Sequence, residues 1–416
     1  MIDALPFEIT AQIFELCVLD NPSPLKHPAQ QLRLAAVCVS WRDICFALGQ
    51  LWARLNVYKC PKFLEGGTDD DEAELCQMAI AWLSRAGSHP IKLGIHAEER
   101  STTLSYALLP IFSGQISQLD IPLQRLSSVL RGGALPQLKS LCLRCPPSIR
   151  LDQDDKGHYI LAPKLQRLQL LGYFDTDIYI AFPWSQITDL LIDGPPYSWV
   201  HSNFRLLDLE QLETFSIVCE YDYRSPRSIK TLPKLQKFRA TLARDADILE
   251  YLSLPALRSL EIIGLAGASE LPTNIVELGR RSQWSLRHLR LANIQCSRIA
   301  YLLDSEVMEF IEELEISVTW RDPTFFDALL SRLRAGALLN LHSLSIKACP
   351  ITHSMHITEL VEVVRLRSEK FGLQAFALEL VKRHDWELWK NEVMLEFREL
   401  VGRVPSVRVH VHGVAV

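Results

Sequence analysis

Residues 286–291 read LRHLRL and place leucines at Leu286, Leu289 and Leu291. The last two leucines are two residues apart, which is the spacing of a strand with one buried face, and the first turns inward just before it. One such strand cannot bury its apolar side alone. Similar units therefore have to follow one another along the chain and stack, so that each covers its neighbour.

The same unit recurs through most of the chain, about every 26 residues. Clear copies begin at the anchor residues Leu138, Leu165, Leu257, Leu286, Ile311 and Leu341, and weaker copies begin at Ile116, Ile187, Leu212, Leu235, Leu373 and Val404. Stacking such units predicts a parallel sheet on the concave face, with helices and loops on the convex face and a continuous core between them. The expected fold class is α/β, as an irregular solenoid.

The spacing of the anchors predicts what connects the strands. The early intervals leave room only for a loop or a short turn, whereas the four intervals after Leu286 are long enough for a helix. Helical periodicity occurs at residues 323–336, 357–372 and 385–402. Each of these stretches ends at a glycine, which is a common helix stop.

A different pattern opens the chain, where residues 5–17 read LPFEITAQIFELC. Pro6 suits the first turn of a helix, and Ile9, Ile13 and Leu16 follow on one stripe at i, i+4 and i+7. A second helical pattern follows, and Leu51-Trp52 closes the segment. We expect a compact bundle of three short helices. The face of the second pattern consists of Leu34, Val37, Cys38 and Trp41.

These patterns resemble two known families. The repeats resemble leucine-rich repeats, LxxLxLxx(N/C), in degenerate form, because among the copies compared only Cys349, in LHSLSIKAC, occupies the Asn/Cys position. The opening segment resembles an F-box in three ordered motifs: LPxEIxxxIFxxC at residues 5–17, LxxVCxxWR at 34–42, and the closing LW. The resemblance implies a small N-terminal three-helix F-box at residues 1–57, a linker or first cap with an acidic loop at 58–88, and a leucine-rich-repeat-like solenoid at 89–416.

In F-box proteins the helices dock on the Skp-type adaptor of an SCF ubiquitin ligase, and through it on the cullin and RING subunits. The resemblance therefore implies a non-catalytic subunit whose repeats hold a protein substrate. The adaptor contacts that it implies are Leu5, Pro6, Ile9, Ile13, Leu34, Val37 and Trp41, while Phe14, Cys38 and Trp52 are assigned to the core. A repeat scaffold that binds proteins without recruiting a ligase is the alternative, and an enzyme of unknown class is the third hypothesis.

The side chains that alternate with the buried positions of each strand point away from the core and are candidates for substrate contact. They are Lys237, Arg239, His288, Arg290, Glu313, Glu315 and Lys347. Basic residues of one unit lie beside acidic residues of the next, which favours a polar, charge-patterned ligand surface. The alternative is that these side chains are solvated and pair with one another across neighbouring units.

Composition and missing motifs limit the other function classes. The 416 residues carry a net charge of -5, so a basic footprint for nucleic acid is missing. No stretch approaches the roughly 18 apolar residues of a membrane span, and the N-terminus lacks the pattern of a signal peptide. We therefore expect a protein of the cytoplasm or nucleus that binds neither nucleic acid nor membrane.

Motifs for catalysis and for cofactors are equally missing, since the chain contains no GxSxG, Walker A, GxGxxG or HExxH. Cys142 and Cys145 form a CxxC without a second pair at zinc-site spacing, so we expect them to pack within a strand. The acidic run from Asp69 to Glu72 lacks the spacing of an EF-hand and is predicted to be a solvated loop. No catalytic residue, metal or cofactor is expected.

Overall fold

The structure of the protein is a computed structural model. It describes the chain except for residues 1–4, 20–29, 58–68, 97–101, 124–132, 146–159, 173–181, 195–207, 220–228, 243–246, 265–270, 294–298, 318–322, 350–353, 381–394, 396, 399, 401–403, 412–413 and 416. The chain divides into two compact units, Met1–Ile192 and Asp193–Val416. Each unit is described by itself below.

The first unit opens with three helices, as the sequence predicts. They are α1 (Phe7–Leu19), α2 (Gln30–Ala35) and α3 (Val39–Ala47), followed by a 3-10 turn at Gly49–Leu51. Helix α1 begins after Pro6, whose carbonyl accepts the amides of Ile9 and Thr10, each at 3.1 Å. Helix α3 is capped by Cys38, because the Sγ atom of Cys38 accepts the Trp41 amide at 3.5 Å.

Strands and two further helices complete the first unit. They are β1 (Arg54–Val57), α4 (Asp69–Ser84), β2 (Ile91–Ile95), α5 (Thr102–Phe112), β3 (Ile116–Pro122), β4 (Ser140–Cys145), β5 (Arg167–Gly172) and β6 (Asp189–Asp193). The six strands neighbour each other in sequence order, and β1 through β5 pair in parallel. Strand β1 follows the three helices directly, so the opening segment supplies the first strand of the sheet.

The acidic loop predicted for residues 58–88 is wrong for its acidic part. Asp69, Asp70 and Asp71 form the start of helix α4 instead. The physical reason is the helix dipole, which favours acidic residue types in the first turn of a helix. The loop prediction rested on the run of like charges alone. The position of these residues directly before an apolar helical pattern is what decides that they form a helix.

The second unit contains the remaining strands and helices. They are β7 (Thr214–Cys219), β8 (Lys230–Thr231), β9 (Lys237–Leu242), β10 (Leu252–Ser253), β11 (Ser259–Gly264), α6 (Leu271–Ser282), β12 (His288–Ala292), α7 (Ile299–Leu303), β13 (Glu313–Ser317), α8 (Pro323–Arg334), β14 (Ser343–Cys349), α9 (Ser354–Phe371), β15 (Ala375–Leu380), β16 (Ser406–Val411) and β17 (Val414–Ala415). The strand order is β7-β9-β11-β12-β13-β14-β15-β16-β17, and β8 pairs separately with β10. Pairing is parallel from β7 to β16, and β17 is antiparallel.

The repeat supplies the core of both units. From the copy at Ile116 to the copy ending at Leu378, the three apolar positions of every unit are buried. The register keeps like positions side by side, so that Leu260 lies opposite Leu289 and Leu289 opposite Leu314. Each strand therefore covers the apolar residues of the next. This confirms the predicted α/β class, with stacked parallel strands following the N-terminal helices.

The predicted connecting helices are confirmed in part. Helices α8 and α9 correspond to the stretches at residues 323–336 and 357–372. Gly336 ends α8 at a φ of 90°, and the Ala337 amide returns to the Arg332 carbonyl at 3.0 Å. The stretch at 385–402 lies largely outside the described residues. Helix α6 was missed, because it lies one interval before those that the spacing marked as long enough.

Two arginines join neighbouring repeats of the second unit. Arg281, in α6, donates to the carbonyls of Leu252 at 2.8 Å and Leu249 at 2.6 Å. Arg367, in α9, is almost fully buried and donates to the Ala337 carbonyl at 2.9 Å and to that of Leu338. In both places a guanidinium satisfies carbonyls of the preceding connection, which no longer have water as a partner. Burial lowers the pKa of both guanidiniums.

Candidate docking surfaces

Helix α1 carries two apolar stripes, of which one is buried and the other is exposed. Ala11 and Phe14 are buried against the other helices of the bundle. Ile9, Ile13 and Leu16 stay 44%, 41% and 67% exposed, although they are as apolar as the buried stripe. The i, i+4 and i+7 spacing therefore holds, but this stripe faces outward. Exposed apolar side chains at helical spacing are typical of a surface that a partner covers.

The second helical pattern adds to this exposed surface. Val37 and Val39 are exposed where α2 leads into α3, and Leu32 is exposed on α2. Leu34 and Trp41 are half-buried, and the Trp41 ring meets the Phe14 ring edge-on at 4.9 Å. The Arg42 guanidinium donates from Nε to the Ala35 carbonyl at 3.1 Å, which fixes α3 against the end of α2.

The implied adaptor residues thus separate into two groups. Leu5, Pro6, Ile9, Ile13 and Val37 are exposed, whereas Leu34 and Trp41 are half-buried. Of the implied core residues, Phe14 and Trp52 are buried and Cys38 is half-buried. Sequence reasoning missed four exposed apolar neighbours: Phe7, Leu16, Leu32 and Val39. Leu16 was placed on the stripe but not on the contact surface, and only its exposure reveals it.

The closing Trp52 holds the helical bundle against the first connecting helix. Its side chain is fully buried, and its indole Nε1 donates to the Cys45 carbonyl at 2.8 Å. The ring stacks on Phe46 at 5.4 Å and meets Trp82 of α4 edge-on at 4.7 Å. The Trp82 Nε1 in turn donates to the Arg54 carbonyl in β1 at 3.2 Å. The bundle is therefore continuous with the repeats that follow it.

A second candidate surface lies on the solvent side of the sheet in the second unit. The register places Arg239, Glu261, Arg290 and Glu315 next to each other on β9, β11, β12 and β13. Lys347, on β14, is one outward position further along its strand. We call these five residues the charged row. In it, basic and acidic side chains alternate from strand to strand.

Every neighbouring pair in the charged row forms an ion pair. Glu261 is 3.5 Å from Arg239 Nε and 3.0 Å from Arg290 Nη1. Glu315 is 2.8 Å from both Arg290 Nε and Lys347 Nζ. Outside the row, His288 Nδ1 lies 2.9 Å from Glu313. Pairing across neighbouring units, which the sequence left as the alternative, is thus present in the structure.

The structure brings the predicted substrate-face residues together on one face of the sheet. It also adds one residue that the prediction did not include. Glu261 was not predicted, although it lies between the two arginines. Its repeat reads LRSLEI, and the outward glutamate there was visible in the sequence but not included. Glu261 Oε1 is buried and lacks a well-aligned hydrogen bond, despite the two guanidiniums nearby.

A polar cluster lies on the outward side of β2, β3 and β4. Asp120 accepts Nε and Nη2 of Arg144, each at 2.8 Å, and its Oδ2 atom also lies 3.7 Å from His96 Nε2. Burial lowers the pKa of His96, although the Asp120 charge opposes the effect. Burial, with Asp120 nearby, raises the pKa of the Cys142 thiol to about 12. A thiol with so high a pKa is a poor nucleophile and a poor metal ligand.

No group of three or more potential metal ligands occurs in the part of the chain that the structure describes. Cys142 and Cys145 are buried free thiols within β4, as strand packing predicts. Within the same described residues, no helix has the length and apolar character that would let it cross a membrane.

The comparison with known families agrees with the three-helix geometry. Residues 2–58 match the family model described as F-box-like. This segment is an F-box-like domain. F-box domains commonly bind Skp-type adaptors, and the proteins that carry them are typically non-catalytic. The matched segment includes all of β1, so it contributes a strand to the repeat sheet. No curated protein matches the chain.

Proposed function

We propose that this protein is the substrate-recognition subunit of an SCF-type ubiquitin ligase in the cytoplasm or nucleus. The F-box-like domain docks on a Skp-type adaptor, which links it to the cullin and RING subunits, and the repeats bind a protein substrate. The subunit contributes proximity, because the ubiquitin-conjugating enzyme is held elsewhere in the complex.

The observation that carries the proposal is the uncovered apolar stripe of α1. The three apolar positions of each repeat are buried, and exposed apolar residues among the repeats, such as Leu161 and Ile229, lie in the connections between strands. Burying an exposed isoleucine or leucine contributes roughly 1.5–3 kcal/mol. Ile9, Ile13 and the exposed Val37 therefore make a favourable contact surface once a partner covers them.

The proposed contact set is the one that the F-box motifs imply. It consists of Leu5, Pro6, Ile9, Ile13, Leu34, Val37 and Trp41. The exposed neighbours Phe7, Leu16, Leu32 and Val39 extend the surface. The half-buried Trp41 supports it from beneath, because its ring packs on Phe14 of α1. The substrate surface is placed on the solvent side of the sheet in the second unit.

Co-purification of the intact chain with a Skp-type adaptor tests the proposal. We expect a stable complex of defined stoichiometry on size-exclusion chromatography. A chain that folds but elutes free of the adaptor would exclude the ligase role and leave the protein-binding repeat scaffold. Mass spectrometry of proteins that co-purify with the adaptor complex would then identify the substrate.

A further inference from the structure

The charged row exposes its two signs unequally. The side chains of Arg239, Arg290 and Lys347 are 55%, 44% and 40% exposed. The carboxylates of Glu261 and Glu315 are only 21% and 26% exposed. The carboxylates lie deeper and the cations above them, so a partner that approaches this face meets cations first.

The half-buried carboxylates also hold the cations in place. Arg290 forms ion pairs on both sides: its Nη1 atom lies 3.0 Å from Glu261 Oε1, and its Nε atom lies 2.8 Å from Glu315 Oε1. Ordering a free arginine side chain on binding costs about 0.5–1.5 kcal/mol. Here the neighbouring carboxylates have already restricted the guanidinium, while its outer edge still faces solvent. The arrangement favours an anionic partner over a solvated surface without a ligand.

Further positive charge borders the row. Lys237 precedes Arg239 by one outward position on β9 and is exposed, with no ion-pair partner among the described residues. One acidic residue at the rim, Glu313, lies 2.9 Å from His288 Nδ1. Neighbouring strands are about 4.8 Å apart, so Arg239 and Arg290 present cations roughly 10 Å from each other.

Beyond the charged row the same face carries small side chains. Ser343 and Ser345 of β14 lie opposite Ala375 and Ala377 of β15. These residues leave space above the sheet beside Lys347. A partner chain can therefore approach the backbone there while its acidic side chains reach the cations.

We propose that the charged row binds an acidic segment of the protein substrate through Arg239, Arg290, Lys347 and Lys237. This inference rests on the proposed function in one respect: the bound segment is a substrate only if the protein is a ligase subunit. Binding of an acidic segment does not itself depend on the ligase role. The segment supplies anionic side chains, from aspartate and glutamate or from phosphorylated serine and threonine. Charge-assisted hydrogen bonds from guanidinium to such groups are the strong ones.

Fluorescence anisotropy of the full chain with three labelled dodecapeptides tests the proposal without any adaptor. The probes alternate serine with glutamate, glutamine with phosphoserine, and serine with glutamine. We expect the two anionic peptides to bind and the neutral peptide not to bind, with affinity that falls as salt rises from 50 to 300 mM. The ratio of the two anionic affinities tells whether carboxylate or phosphate is the better source of charge.

Variants then locate the site. Arg239→Gln and Arg290→Gln should each weaken binding by about 3- to 10-fold, in line with a partly exposed charged contact. The matched control is Arg332→Gln, because Arg332 is equally exposed and is paired with Asp304 at 2.9 Å, but lies on helix α8. Glu261→Gln should strengthen binding, because the amide oxygen can still accept from the guanidiniums and restrict them, while the negative charge that competes with the ligand is removed.

The arginine variants are expected to weaken binding and Glu261→Gln to strengthen it. Misfolding cannot explain this result, because a misfolded variant loses binding whichever charge is changed. Equal binding of the neutral peptide, or an equal loss in Arg332→Gln, would overturn the proposal. Failure of both anionic peptides to bind would do the same. Adaptor binding is measured separately through the F-box-like domain, so either proposal can fail while the other stands.

Discussion

The Arg85 guanidinium lies over the Trp52 indole, 4.9 Å from the ring centroid, and 5.3 Å from the centroid of Phe46. Trp52 belongs to the F-box-like domain, whereas Arg85 follows helix α4 of the first connection. Trp82 of α4 meets the same Trp52 ring edge-on at 4.7 Å. The F-box-like domain and the first connecting helix therefore share one core and are packed against each other.

Removing either partner should therefore destabilise the first unit. We expect Arg85→Ala to lower the free energy of unfolding by about 0.5–1 kcal/mol, the range of an exposed cation–π contact. Trp52→Ala should cost about 3–5 kcal/mol, because it leaves a large cavity. Urea unfolding followed by tryptophan fluorescence measures both, with Arg365→Ala on the exposed side of α9 as control. Equal midpoints for Arg85→Ala and the control would refute the cation–π contribution.

Adaptor binding should depend on the exposed stripe of α1. Ile13→Asp and Pro6→Ala should each weaken binding by ~1–3 kcal/mol if these residues are anchor positions. Isothermal titration with the Skp-type adaptor measures the change. Ile111→Asp is the matched control, because Ile111 is an isoleucine of α5 that is 54% exposed. Unchanged affinity in both α1 variants would remove these residues from the contact set.

The buried Arg367 should stabilise the fold through the geometry of its guanidinium donors, which reach two carbonyls at once, and not only through its charge. Arg367→Lys should lower the free energy of unfolding by about 1.5–3 kcal/mol, because a lysine cannot reach the carbonyls of Ala337 and Leu338 together. Arg365→Lys, on the exposed side of the same helix, should leave stability unchanged. Thermal unfolding by circular dichroism compares the two. A fully stable Arg367→Lys protein would show that the fork contributes little.

Stability should fall in mild acid partly through His96. Its pKa is lowered in the folded state, mainly by burial, so the unfolded chain binds a proton more readily. The contribution of His96 is therefore complete above its ordinary pKa of about 6.5 and is lost as the pH falls towards the folded value. Urea unfolding at pH 7.5 and 5.5 should show a smaller decrease for His96→Asn than for the natural chain. His342→Asn, on an exposed residue, should behave like the natural chain.

Thiol reactivity should follow burial. Burial raises the pKa of Cys45 to about 11 and that of Cys142 to about 12, whereas Cys17 is exposed. At pH 8 a thiol of pKa 11 is ionised to about 1 part in 1,000, and the thiolate is the reactive form. Iodoacetamide labelling with peptide mapping should modify Cys17 at least 100-fold faster than the two buried thiols. Comparable rates in the folded chain would contradict the buried positions.

Local patterns predicted much of the fold. The repeat from Ile116 onward and the F-box motifs were visible because a strand or helix with one buried face carries a short, regular spacing of apolar residues. The same reasoning missed strand β2, whose segment IKLGI lacks the anchor spacing, and helix α6. It also misread the acidic start of α4, where position relative to the helix mattered more than charge.

The sequence by itself determined the two-part organisation, a three-helix F-box-like domain followed by stacked strands, because each part is encoded in spacings of a few residues. Only the tertiary structure decided which apolar stripe of α1 is covered, that Trp52 and Arg85 meet, and that Glu261 lies between Arg239 and Arg290. These relationships depend on the packing and register of segments that lie about 20 to 30 residues or more apart, and no local spacing records them.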